Sequence, residues 1–292
     1  MKKIFILALA ALGMLACTGQ NDPSVPSSNG ELSGVFSVST TKKIHFSQGN
    51  LQYQASSKTW RFAEHQYDTI GAPNANASAY YDGWIDLFGW GTSGYNNNYP
   101  HIKKSSAEEY GIGTDDISGT NYDWGVYNKI SNGGNKVGQW RTLTNEEWQY
   151  LLFNRPRANQ LFGWVTMNGI YGIVLLPDEW KAPEGITFIP NEDTHWDYHN
   201  SNSMRYDYNI FILKEWSAME KAGAVFLPAA GCRSRYDSNI IYPTHVGMYW
   251  TSTYAYHVYF DPFGTGLELM DASNAPQHDY DGLSVRLVKD IE

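Results

Sequence analysis

Several groups of side chains in this sequence have the types that do chemistry, and their spacing can be tested one group at a time. His195 and His199 stand four apart, as two metal ligands on one helical face would, but no helical pattern surrounds them and no third ligand stands out. Asp261, Asp271, Asp279 and Asp281 are the carboxylates a calcium ion would need, yet no Asp-x-Asp-x-Asp-Gly loop is present. Glu146-Glu147 and Asp178-Glu179 are adjacent pairs, and adjacency alone does not make the opposed acid and base of a glycosidase. Cys232 has no His or Lys beside it and reads as a small buried residue rather than a nucleophile. Neither a nucleophile elbow nor a P-loop occurs. The expectation is a protein without catalytic residues, metal or cofactor.

Binding is the chemistry left. From Gly223 to Val288, apolar landmarks alternate with loops of Tyr, Asn, Asp, Ser, His and Arg. Tyrosine supplies large, stiff contact area, and Ser and Asn supply adaptable hydrogen bonds. In the strand 256–261, a period of two turns Val258 and Phe260 inward and His257, Tyr259 and Asp261 outward. The candidate ligand-binding residues are Arg235, Tyr236, Asp237, Asn239, Tyr242, Tyr254, Tyr256, His257, Tyr259 and Asp261. Trp84, Trp90, Trp148 and Trp216 read as core rather than as sugar platforms.

The elements that must carry these residues are short. Val35–Val38, Ile44–Phe46, Leu51–Tyr53 and Trp60–Phe62 read as strands of a meander. The stretch from His65 to Asn98 reads as an ordered loop pinned by Trp84, Phe88 and Trp90. His101 to Asn121 and Pro190 to Asn209 read as mobile polar insertions. Thr144 to Glu147 is a capping box opening a helix that ends at Pro156. A second helix spans roughly Phe211 to Ala222 before Gly223. Asn168-Gly169 turns a hairpin over Trp164–Tyr171, continued by Ile173–Pro177. Further short strands follow at Val225–Leu227, Met248–Ser252, Tyr256–Phe260, Leu267–Met270 and Leu283–Val288. Helices followed by small antiparallel sheets make this an α+β protein.

The first residues speak to compartment. Lys2-Lys3, the apolar run Ile4–Leu12 and Ala16 before Cys17 form a secretory leader too short to span a bilayer. Ala16-Cys17 resembles a bacterial lipobox, which implies cleavage after residue 16 and a diacylglycerol on Cys17. Cys232 is then left without a partner, so the core must hold without disulfides. Thr18 to Leu32 reads as a flexible tether. Aromatics at 15% and charged residues at 17% favour a loop-rich, aromatic-cored β fold over a helical one. Loss of Lys2 and Lys3 with the leader takes the net charge from −9 to −11, which disfavours nucleic acid as a partner.

Four motifs carry a family likeness: Trp140–Trp148, Gly223–Arg233, Tyr249–Thr253 and Ser284–Val288. Together they resemble the C-type-lectin-like fold in its formylglycine-generating-enzyme branch. More narrowly, they resemble the major paralogous domain lipoproteins and the variable proteins of diversity-generating retroelements. The resemblance covers most of residues 34–288. It implies that the two ends of a domain over 34–290 pair in one sheet and that the second helix lies under a loop-rich ligand face. It also departs from two relatives. The cysteine pair of the copper-dependent enzymes is missing, with only Cys232 available, and so are the tripeptides of calcium-dependent lectins. The expectation is an outer-membrane lipoprotein, surface-exposed, recognising a protein or glycan on another cell, a phage or the host. The rival readings are a tip or structural subunit of a surface assembly and a glycan-active enzyme.

Overall fold

The computed structural model describes residues 29–76, 78–101, 116–193, 204–234, 236–254, 256–262, 266–271 and 281–292. The leader, Cys17 and most of the tether lie outside them, as do Arg235, Asp279, the His195 and His199 pair, and the larger part of the insertion after His101.

Short-range signals set many of the elements. β1 (Phe36–Ser37) pairs with β2 (Lys43–Phe46), and β3 (Leu51–Gln54) with β4 (Thr59–Phe62); β5 (Trp84–Ile85) lies on the other edge of β3. One turn of helix, α1 (Trp124–Tyr127), starts where the Asp123 carboxylate accepts from the Gly125 N–H. At α2 (Asn145–Gln149) the capping box forms: the Glu147 N–H donates to Thr144 Oγ1, and the Thr144 N–H donates to Glu147 Oε2, both at 3.1 Å. The helix then widens into a π turn over Tyr150–Asn154, still burying Trp148, Leu151 and Leu152, and stops at Arg155 before Pro156.

β6 (Phe162–Met167) and β7 (Ile170–Leu175) form the expected hairpin. Asn168 (φ 49°) and Gly169 (φ 82°) both take the left-handed conformation that its tight turn needs. β8 (Ile210–Phe211) runs parallel to β6 and claims Phe211, so α3 (Leu213–Lys221) starts two residues later than the sequence suggests. At its end, Gly223 (φ 94°) donates to Glu220 O and Ala224 donates to Met219 O, which is a Schellman closure. β9 (Val225–Pro228) completes a four-stranded sheet in the order β8-β6-β7-β9. Gly172 is required in it, because a Cβ there would strike Leu227 O and the Phe226 ring.

The remaining strands are β10 (Cys232–Arg233) with β11 (Ile240–Ile241), then β12 (Gly247–Trp250), β13 (Tyr256–Phe260) and β14 (Leu267–Asp271), and finally β15 (Val288–Asp290). β15 pairs antiparallel with β2, so the first and last strands share a sheet.

The opening strands are not one meander. Ser47 N–H donates to Leu287 O and Leu51 N–H to Val285 O, both at 2.9 Å. The C-terminal run thus lies between β2 and β3 and divides them into two sheets. The four-stranded sheet is buried on both faces. Trp164, Ile173, Leu175, Val225 and Leu227 point into a cluster with Phe36, Phe46, Trp148, Tyr249 and Phe260. Val165, Met167, Val174 and Phe226 point the other way, onto Trp216 and Met219 of α3. A third cluster joins Trp60, Phe88, Trp124, Trp140, Trp250 and Leu287.

Polar side chains tie these layers together. Arg286 is fully buried, and burial lowers its pKa to about 10. Its Nη1 donates to Asn50 Oδ1 at 3.2 Å and its Nη2 to Gln66 Oε1 at 2.8 Å. Gln66 also accepts from the Phe226 N–H of β9 and donates to Glu220 of α3, each at 2.8 Å. Asn50 donates to the Tyr249 hydroxyl, which in turn donates to Pro228 O. One guanidinium therefore connects both ends of the chain to the central sheet.

Candidate ligand-binding face

The β10–β11 hairpin roots in the interior and ends in solvent. Arg233 and Ser234, where the polar residues of this loop begin, are buried. Arg233 exchanges backbone hydrogen bonds with Gly282 at 2.8 Å, and burial lowers the pKa of its side chain to about 10, against the pull of Asp281. Cys232 beside it is also buried, which pushes its thiol up to about 12 and disfavours the thiolate near neutral pH.

Beyond this root the chain turns outward. Asp237 accepts from the Asn239 backbone at 3.1 Å and from its amide at 2.6 Å, and these bonds hold its carboxyl below the usual range. Tyr236 is 73% exposed and Tyr242 60% exposed. Ser238 (φ 63°), Tyr242 (φ 53°) and Thr244 (φ 67°) all adopt left-handed backbone. That region is disfavoured for bulky and β-branched residues, and such conformations concentrate at binding sites.

Tyr259, Asp261 and Glu268 lie alongside. The Tyr259 hydroxyl donates to Asp261 Oδ2 at 3.1 Å. Burial first, then Asp261, Glu268 and Tyr242, raise its pKa, so these four side chains share one neighbourhood. Arg205 anchors the group from below: its Nη1 donates to Asp261 O at 3.0 Å and its guanidinium lies 5.3 Å from the Trp164 ring centroid. Next to it, Tyr206 is fully buried, stacks on Tyr171 at 5.0 Å and donates to His245 O at 2.7 Å. Reading Pro190–Asn209 as a polar, mobile insertion therefore fails at its C-terminal end. The missed signal was Tyr206 and Tyr208 following Arg205 in an otherwise polar run.

The strand β13 corrects a second expectation. Val258 and Phe260 do face the core, but His257 is only 3% exposed rather than outward in solvent. It pairs across the sheet with Trp250 and Met270, and its ring lies 6.0 Å from Trp250 at an interplanar angle of 78°. The period of two separated the faces correctly, but both faces are covered here. Tyr254 packs edge-on against Trp90, and the Tyr256 hydroxyl donates to Asp271 at 3.0 Å. These two sit at the other end of β13, about five residues or some 15 Å from Asp261. The candidate residues thus divide: Tyr242, Tyr259 and Asp261 share one neighbourhood, Tyr254 and Tyr256 lie at the other end of β13, and Tyr236, Asp237 and Asn239 belong to the β10–β11 turn.

The second helix does not underlie this face. Trp216 and Met219 of α3 pack on the far side of the central sheet, whereas Trp148 of α2 shares a cluster with Val258, Phe260 and Leu269. The other chemical candidates are absorbed structurally. Glu147 caps α2 and pairs with Arg141 at 2.6 Å; Asp178 pairs with Arg155 at 3.1 Å. Asp261, Asp271 and Asp281 do not meet, and among the described residues no three His, Cys, Asp or Glu side chains converge. Trp90, Trp148 and Trp216 are core; Trp84 is half-buried, with Arg61 laid over its ring at 3.7 Å. Comparison with family profiles, curated proteins and solved structures found no match to this chain.

Proposed function

We propose that this protein is a lipid-anchored binding protein with a C-type-lectin-like fold, displayed at the outer membrane, which holds a protein or glycan of another cell, a phage or the host without transforming it. The observation that carries the reading is the pair of exposed tyrosines, Tyr236 in the β10–β11 turn and Tyr242 just after β11, which flank the buried Cys232–Arg233 strand and lie on or near left-handed backbone. A rigid aromatic anchor on a fixed base loses little freedom on binding. Pairing of β15 with β2 is compatible with the fold, which closes on its own ends.

The test is a glycan and protein array with soluble residues 30–292, with and without chelator, beside a Tyr236→Ser/Tyr242→Ser/Tyr259→Phe variant. Binding that survives chelator and disappears in the variant supports a calcium-independent face. Binding that the three changes leave intact overturns this placement of the site. The anchor is tested separately: a fatty-acid label taken up by the wild type and absent from Cys17→Ser supports it, and a label that persists overturns it.

A further inference from the structure

Away from that face, β3, β4, the segment 64–70 and the tip of the β6–β7 hairpin enclose a cleft of about 450 Å3. That volume suits a small molecule. Arg61 forms one wall and is fixed from two sides. Its guanidinium lies flat on Trp84 at 3.7 Å, and its Nε donates to Oε1 of the buried Gln52 at 2.9 Å. With stem and Nε held, its two terminal nitrogens have no acceptor among the described residues. Glu64 and Asp68 face it. They are near enough to support its charge against the desolvation that lowers its pKa, yet neither forms an ion pair with it among the described residues. Asp68 Oδ2 accepts from the His65 N–H at 2.9 Å, and the Glu64 carboxylate has no partner among the described residues. Ile70 and Ile170 supply an apolar wall. Opposite charges thus look at each other across open space instead of closing on one another.

We propose that this cleft binds a small zwitterion of the α-amino-acid type. Its carboxylate would meet the two terminal nitrogens of Arg61, its ammonium Glu64 and Asp68, and its side chain Ile70 and Ile170. The guanidinium fork suits a carboxylate in two-point contact. A lone anion would bring its charge against Glu64 and Asp68, a lone amine would meet Arg61, and a neutral sugar would leave both signs unmatched. Stacking on Trp84 sets the fork before the ligand arrives.

Titration calorimetry on the full-length chain, with the free amino acids and their N-acetyl and C-amide derivatives, tests this. At least one free amino acid should bind with Kd between about a micromolar and a millimolar. Blocking either end should weaken it about tenfold or more, and Arg61→Lys and Glu64→Gln should each do the same. Tyr236→Ser should leave this binding unchanged, so loss of the hairpin face and loss of the cleft are separate results. Glu64 is exposed, and an unshifted melting curve for Glu64→Gln keeps its result interpretable. Three outcomes would each overturn the proposal: no heat from any free amino acid at about 10 mM, blocked derivatives binding as well as free ones, or Glu64→Gln binding like the wild type.

Discussion

The interior around Arg286 and the exposed segments at either end of the β10–β11 hairpin, around Tyr236 and Tyr242, are both polar and aromatic, yet they are built on opposite terms. Around Arg286, the side chains of Asn50, Gln66 and Tyr249 are buried and each meets a partner, with Arg286 Nε left without one among the described residues, and the backbone that carries them stays out of the left-handed region. In the exposed segments, Tyr236 and Tyr242 meet solvent and Ser238, Tyr242 and Thr244 are held in left-handed conformations. Buried polar networks are strong when every member is satisfied and costly when one is lost. The exposed segments lack that reinforcement. Their shape depends on the buried strand at Cys232–Arg233 and on the bonds inside the turn. The interior ties the fold together, and the exposed segments carry the proposed recognition.

The sharpest way to break this contrast is to empty the interior. Arg286→Met should destabilise the protein by about 2–3 kcal/mol, because it takes the donor from Asn50 Oδ1 and one of the two donors from Gln66 Oε1, read as a drop in urea midpoint. A shift below about 1 kcal/mol would mean that the network is not the tie described here. The next effect is a pH dependence. Asp86 and Asp123 are fully buried, and burial raises both to about 6 despite the hydrogen bonds they accept. Well below the ordinary carboxylate range, folded and unfolded chains both hold these protons. Between that range and about pH 6 the unfolded chain loses them first. Stability should therefore fall as pH rises through that window, on the order of 2–3 kcal/mol for each group, then level off. Asp123→Asn should flatten this slope, and denaturation at a series of pH values reads it directly.

Smaller effects sharpen the same comparison. Thr144→Ala removes the cap of α2 and should cost about 1 kcal/mol of stability in the same denaturation assay. Thr244→Gly acts in the exposed segment after β11, where it relieves a left-handed β-branched residue, and should stabilise by up to about 1 kcal/mol. A frame that weakens and an exposed segment that strengthens under substitution would separate the two regions experimentally. Destabilisation by Thr244→Gly would show that this segment is shaped by favourable contacts instead.

What the sequence disclosed about this fold follows the range of the forces involved. The Thr144–Glu147 cap, the Asn168-Gly169 turn and the Gly223 helix end were all legible, because each is specified within a few residues. Burial of His257 was not, since it depends on Trp250 and on a strand that arrives later. Nor was the splitting of the opening strands by a segment from the other end of the chain. Of the candidate face, the exposed tyrosines were legible by type alone. Arg205 and Tyr206 were hidden because their partners, Asp261, Trp164 and His245, are remote in sequence. The cleft at Arg61 was invisible for the same reason: Trp84, Glu64 and Ile170 come from three separate segments.

The pairing of β15 with β2 bears on how the molecule is made. Lys289 meets Glu31 at 2.7 Å across 258 residues of sequence. The loop-closure entropy for contacts this remote must be met before they give anything back, which slows folding. Because the first sheet needs β15, a chain growing from its N-terminus cannot finish that sheet until residues 288–290 have been made. Until then β2 has an open edge where β15 will lie, the kind of edge to which a chaperone or a second unfinished chain can attach.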